Sequence, residues 1–246
     1  MTAKLELSSN QKTLKDRIIV ALDTSSLDMV KKLVGELEGY VSLYKVGFEL
    51  FTAHGWDAVD LVRKKGADIF LDLKYHDIPN TVSKAAEVIC EKDVQMFNLH
   101  TLGGLEMMKK TREAVDRRSA IRKRKPIILG VTILTSHSEK DLARDFGMNK
   151  TLDQSVLDLA GLAKKAGLDG VVSSPQEVEM LRKEFGKDFI IVTPGIRPPG
   201  SPKDDQKRTF TPQEAFECGA SYIVIGRPIT SVSNPRQAME KILESL

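Results

Sequence analysis

Cysteine is nearly missing from this chain. Two stand among 246 residues, Cys90 and Cys218, far apart and each inside a helix-like pattern. That excludes a disulfide framework and a thiolate metal cluster, and both read as reduced packing thiols. The four histidines, His54, His76, His100 and His137, form no HExxH or similar motif, so no metal site is expected. Charge of one sign is not in excess: 37 Lys and Arg against 34 Asp and Glu leave a net +3, too mild to point to nucleic acid. The richest basic stretch, RRSAIRKRKP (117–126), has no aromatic interleaved with it. It reads as a solvated helix end and loop rather than a base-stacking surface. No apolar run nears the ~18 residues of a membrane span. The start, MTAKLELSSNQKTLKD, has no apolar core for a signal peptide. The expectation is a cytoplasmic protein, with neither membrane nor nucleic acid as partner.

What is present is rhythm. Short apolar runs alternate with helix-period segments along the whole chain. The strand candidates are RIIVALD (17–23), SLYKVGF (42–48), ADIFLDLK (67–74), VQMFNLH (94–100), PIILGVTIL (126–134), GLDGVVSS (167–174), DFIIVTP (188–194) and SYIVIG (221–226). Several are nearly continuous in Val, Ile and Leu, as strands of a parallel sheet covered on both faces are. Between them lie amphipathic stretches such as 27–39 and 151–167, the latter closing on Gly167 as a helix C-cap. About eight βα units in roughly 250 residues have the size of a TIM (β/α)8 barrel. A doubly wound open sheet has the same local pattern, but no GxGxxG follows the first strand. No linker interrupts the order, so residues 1–246 read as one domain, with 1–15 as an N-terminal extension. The least regular segment, 195–210, is long for a βα connection, and such loops tend to be functional or disordered.

Charges gather at the predicted strand ends. FLDLKYHDIPNTV (70–82) carries Asp72, Lys74 and Asp77 where a strand passes into a helix opened by Pro79. Residues i and i+2 of a strand face one way, so Asp72 and Lys74 share a side. The first strand ends in Asp23 and the second carries Lys45. Any one of these could be a strand-end ion pair or a helix cap. Four of alternating sign converging on a concave barrel mouth favour a reactive site, since burying such charges is costly. The seventh strand leads into Gly195 and Arg197, and the eighth into Gly226 and Arg227. Loops there commonly cradle phosphate in this fold, glycine admitting the ligand and arginine forking onto its oxygens.

These stretches together resemble the orotidine 5′-phosphate decarboxylase family. The likeness runs through IIVALD, YKVGFELF, FLDLKYHDIPNTV with its DxKxxD core, NLHTLGG, VTILTS, VTPGIRP, DDQKR and VIGRPIT. DxKxxD alone is shared with related phosphosugar enzymes, whereas the ordered set is specific. The resemblance implies conversion of orotidine monophosphate to uridine monophosphate without metal or organic cofactor. It implies Lys74 as proton donor to C6 of the pyrimidine, Asp72 facing the departing carboxylate, and Lys45 in the charge network. Asp23 would hold ribose hydroxyls and Thr135 would sit at the pyrimidine edge. Gln206 would help close the long loop, and Arg227, Gly226 and Arg197 would bind the phosphate region. Asp77 and Thr81 would reach the site of a partner subunit in a homodimer.

Three other readings compete. A Mg²⁺-dependent phosphosugar decarboxylase or aldolase of the same barrel group would carry a glutamate ligand where this chain has Lys45. An ammonium there repels the ion, and Glu49 is expected to be helical and exposed. A Schiff-base aldolase using Lys74 needs a lowered amine pKa, while flanking carboxylates push it up. A non-catalytic nucleotide-binding barrel has no use for the intact charge set.

Overall fold

The computed structural model describes residues 13–120, 124–199 and 210–246. Eight strands pair in sequence order, all parallel, and the last closes on the first. They are β1 (Ile18–Ala21), β2 (Leu43–Gly47), β3 (Asp68–Tyr75), β4 (Met96–His100), β5 (Ile127–Val131), β6 (Gly170–Val172), β7 (Ile190–Thr193) and β8 (Tyr222–Ile225). Each lies on one of the apolar runs read from the sequence, β3 extending one residue past its run. The closing register sets Ile18 beside Ile223, more than 200 residues away in the chain. The barrel is therefore a TIM barrel rather than the open sheet.

Helices cover its outside: α1 (Leu27–Glu36), α2 (Phe48–His54), α3 (Trp56–Lys64), α4 (Pro79–Glu91), α5 (Gly104–Ser119), α6 (Glu139–Phe146), α7 (Leu152–Lys165), α8 (Val178–Phe185), α9 (Pro212–Glu217), α10 (Arg227–Thr230) and α11 (Pro235–Glu244). Their starts are locally encoded. Ser26 accepts from Met29 N at 3.3 Å, Thr151 from Gln154 N at 3.2 Å and Asn234 from Gln237 N at 3.0 Å. Ser138 with Asp141 and Thr211 with Glu214 form reciprocal capping boxes. Gly167, just past α7, takes the left-handed φ of +81° that a C-terminal glycine allows. Cys90 is buried in α4, and Cys218 follows α9. No described helix is long and apolar enough to cross a membrane.

Two apolar layers hold the fold. The larger packs helices against the outer faces of the strands. The smaller fills the barrel: Ile19, Ala21, Leu43, Phe70, Met96, Leu129, Val192 and Val224, joined by Ile127, Val172, Ile190 and Tyr222. Every strand contributes to it, as alternation along a closed sheet requires. This inner layer is the floor on which the site stands. Gly170 is obligatory in the wall: a Cβ there would lie 2.0 Å from the Ile190 carbonyl oxygen.

Candidate active site

The site is the next step up each strand. Two residues beyond Ala21, Leu43, Phe70 and Met96 stand Asp23, Lys45, Asp72 and Asn98. Side chains two apart on a strand face the same way, so these four rise from the apolar floor into the C-terminal mouth. Lys45 Nζ lies 2.9 Å from Asp23 Oδ1 and 3.4 Å from Asp72 Oδ2. Lys74 Nζ lies 2.6 Å from Asp72 Oδ1. The chain of charges is thus Asp23–Lys45–Asp72–Lys74, alternating in sign. Gly47 leaves room for it, since a Cβ at that position would come within 2.8 Å of Lys45 Nζ.

Burial and pairing compete in this cluster. Desolvation alone would discharge Lys45 and protonate Asp72. For Lys45 the attraction of Asp72 and Asp23 outweighs burial, and its pKa is raised. For Asp72 the two ammonium groups and a hydrogen bond from Asn98 outweigh burial, and its pKa is lowered. The Lys45–Asp72 pair therefore stays charged where it is buried. Lys74 is the more open ammonium, with a quarter of its side chain exposed (25%) against 12% for Lys45. Its other neighbour is the exposed Phe48 ring, 5.5 Å from Nζ to centroid.

Lys74 does not reach Asp72 by plain strand alternation. Leu71 pairs with Phe97, but Tyr75 pairs with Leu99, so β3 spends four steps where β4 spends two. The strand bulges over 72–74, and Lys74 sits at φ +43°, in the left-handed region that side chains other than Asn and Asp seldom adopt. The expected neighbourhood of Asp72 and Lys74 is present, through a distortion the i, i+2 rule does not contain. Asn98, fully buried, is the residue that sequence reasoning passed over: its Nδ2 donates to Asp72 Oδ1 at 2.7 Å, and its Oδ1 accepts from the Lys74 main-chain N–H at 2.8 Å. The signal was available, because Asn98 follows Met96 as Asp72 follows Phe70.

The remaining candidates lie around this cluster. Asp77 is exposed, and its carboxylate accepts from the Ile78 N–H at 2.6 Å rather than from Lys74. Thr81, in the first turn of α4, is also exposed. Thr135 sits half-buried in a turn after β5. Gly226 closes β8, and Arg227 opens α10, exposed. Arg197 is buried, and its N–H bonds to the Phe210 carbonyl at 2.9 Å. Together with the Ile196–Phe210 bridge, that bond ties the two ends of the long loop. Gln206 lies outside the described residues. Glu49 is helical and exposed, as expected. His100, on β4, stacks obliquely with His76 at 5.6 Å, and burial, then the proximity of His76 and Lys74, lower its pKa.

A closed parallel (β/α)8 barrel with paired charges of alternating sign at its C-terminal mouth defines an enzyme of the TIM-barrel class. Comparison with known proteins narrows the class. The model of the orotidine 5′-phosphate decarboxylase / HUMPS family matches residues 16–242. Orotidine 5′-phosphate decarboxylase from Geotalea daltonii is 48% identical over 230 residues, covering 94% of this chain and 95% of that one. The enzyme of the same name from Moorella thermoacetica is 46% identical over 93% of this chain and 91% of its own. Among solved structures, orotidine 5′-phosphate decarboxylase from Lactobacillus acidophilus superposes with a TM-score of 0.82 at 38% identity, covering 93% of this chain and 98% of that one. The chain belongs to the orotidine 5′-phosphate decarboxylase / HUMPS family.

Proposed function

We infer that this protein decarboxylates orotidine 5′-monophosphate to uridine 5′-monophosphate, the step that yields the first uridine nucleotide of pyrimidine biosynthesis. The observation that carries the reading is the Asp23–Lys45–Asp72–Lys74 chain at the barrel mouth, in a protein nearly half identical to enzymes of that name over almost its full length. Within the same family, the alternative is a Mg²⁺-dependent phosphosugar decarboxylase or aldolase. Lys45 weighs against it. Its ammonium already bridges Asp23 and Asp72, occupying the place between carboxylates that a divalent cation would need.

The chemistry follows from the charges. The C6–carboxylate bond of the substrate breaks, CO₂ leaves, and the electron pair stays in an sp² orbital on C6. Lys74, paired with Asp72 at 2.6 Å, stabilises that negative charge as it develops and then gives its proton to C6. Asp72 would face the substrate carboxylate, so that like charges repel in the bound state and the repulsion lapses as CO₂ departs. It also aims Lys74. Lys45 holds Asp72 from its other oxygen. Asp23 is suited to ribose hydroxyls, Thr135 to the pyrimidine edge, and Arg227 with Gly226 and Arg197 to the phosphate. That phosphate lies far from the breaking bond. Its binding energy can therefore lower the barrier as well as KM.

The outward posture of Asp77, with Thr81 beside it, supports a homodimer in which each subunit lends both residues to its partner's site. Mixing Lys74→Ala and Asp77→Ala proteins, each inactive alone, then restores partial activity in the hybrids. Activity staying at zero in verified hybrids would rule out the shared site. No cofactor is required in this reading, and the cytoplasm is its expected location. The deciding assay follows the absorbance of orotidine monophosphate with protein exhaustively treated with EDTA. Full turnover is expected; a requirement for added Mg²⁺ would favour the phosphosugar alternative.

A further inference from the structure

We propose that Asn98 is a positioning residue of this reaction, holding Asp72 and Lys74 in register with each other through the two ends of one carboxamide. The inference rests on the reading of Lys74 as proton donor.

Four facts lead to it. The bulge in β3 takes the Lys74 N–H out of the strand ladder, since pairing resumes only at Tyr75. Asn98 Oδ1 takes over as its acceptor, at 2.8 Å. The same side chain, through Nδ2, donates to the Asp72 oxygen that also receives the Lys74 ammonium, Oδ1, at 2.7 Å. Lys74 is meanwhile held at φ +43°, a conformation unfavourable for lysine unless its surroundings enforce it. Asn98 therefore fixes both ends of the lever: the backbone from which the ammonium swings, and the carboxylate on which it rests.

The chemistry of the side chain is specific. Only a group with a donor and an acceptor in rigid relation serves both partners. Turning the amide over would set Nδ2 against the Lys74 N–H and Oδ1 against the carboxylate, two clashes of like polarity, so the surroundings admit a single orientation. Because Asn98 is fully buried, removing it takes from both partners a hydrogen bond held in fixed geometry. An aspartate at this position would press a second carboxylate against Asp72, and the pair would hold one proton between them. Protonated, that aspartate again offers one donor and one acceptor.

The test compares wild type with Asn98→Ala and Asn98→Asp across pH. The charged and titratable groups facing position 98 are Asp72 and Lys74 from β3, Lys45 from β2 and His100 from β4, all present in every protein compared. The variant-to-wild-type ratio therefore isolates residue 98. Asn98→Ala should lose kcat by about 100-fold, the scale set by misplacing a reacting group by about 1 Å. Its affinity for uridine monophosphate should change less than about 3-fold, since phosphate and ribose contacts are elsewhere. For Asn98→Asp, the kcat ratio to wild type should climb as pH falls and the shared proton returns. Hydrogen exchange at the Lys74 amide should quicken in Asn98→Ala. A kcat within about 3-fold of wild type, or equal loss of kcat and nucleotide affinity, would overturn the proposal. If Asn98→Ala does not fold, Asn98→Asp decides: a kcat ratio flat with pH sinks the idea. A wild type without turnover would instead sink the functional reading, while the amide-exchange result still reports whether Asn98 holds Lys74.

Discussion

The two halves of the barrel mouth are built to different rules. Above the apolar floor, β1 to β4 present Asp23, Lys45, Asp72 and Asn98. The equivalent steps beyond Leu129, Val172, Val192 and Val224 on β5 to β8 are Val131, Ser174, Pro194 and Gly226, none of them charged. One half is a self-neutralising salt lattice; the other is smooth wall leading to loops. Floor and wall stabilise the fold. The lattice costs desolvation, which its own pairing offsets, and such an arrangement persists where chemistry uses it. The two halves meet where β8 closes on β1: a Cβ at Gly226, the residue before Arg227, would lie 3.6 Å from Asp23 Oδ2. Polar side chains are buried in the neutral half too, but they serve local structure: Ser173 bonds to Glu177, and Glu177 accepts from Ser174 N at 2.9 Å.

This contrast can be broken by substitution. The largest effect is expected from Lys74→Ala, which should cut kcat by about 1,000-fold or more while the circular dichroism spectrum and nucleotide binding persist. Activity near wild type would remove Lys74 from the chemistry. Lys45→Met should cost about 3 kcal/mol of folding stability by urea titration, because Asp72 loses the more buried of its two cationic partners. Arg227→Ala, just after β8, should raise KM about 10- to 100-fold with a smaller change in kcat, the worth of a charged hydrogen bond made in ground and transition states alike. A loss confined to kcat would contradict its assignment to phosphate. Val131→Ala, in the neutral half, should cost about 2 kcal/mol of stability through the cavity it leaves and alter kcat least of all.

The halves should also differ in their response to pH. Asp72 titrates lower in the folded protein than unfolded, so its contribution is present above about pH 4 and fades as pH falls through its depressed value. Lys45 titrates higher when folded, so its contribution is full below about pH 10 and fades as pH rises through its raised value. His100, depressed by burial, adds a loss that begins as pH drops below about 6.5. The urea midpoint of wild type should thus sag at both extremes. Lys45→Met should lose part of the alkaline sag, and Val131→Ala should shift the whole curve without changing its shape.

Much of this was legible locally. Short apolar runs marked all eight strands, and the charges at their ends, Asp23, Lys45, Asp72 and Lys74, stood out as one group. Pro79 and Gly167 marked a helix start and a helix end where they stand. The tie between the ends of the 195–210 loop was not legible, because it joins Ile196 to Phe210 across the loop. Nor was the role of Asn98, since its partners depend on a bulge in a neighbouring strand. The local partner of Asp77 was not legible either: DxKxxD places it near Lys74 in sequence, but its exposed carboxylate accepts from the Ile78 N–H.

The chain by itself determined where the strands fall, where helices such as the one opened by Pro79 begin, and which charged residues stand at strand ends, because those follow from propensities and periodicities spanning a few residues. Tertiary structure alone decided that the sheet closes, that β3 slips against β4, and that an asparagine couples the acid to the base. Closure and register are pairings between segments distant in the chain, and their free energy resides in contacts that no stretch of sequence holds alone.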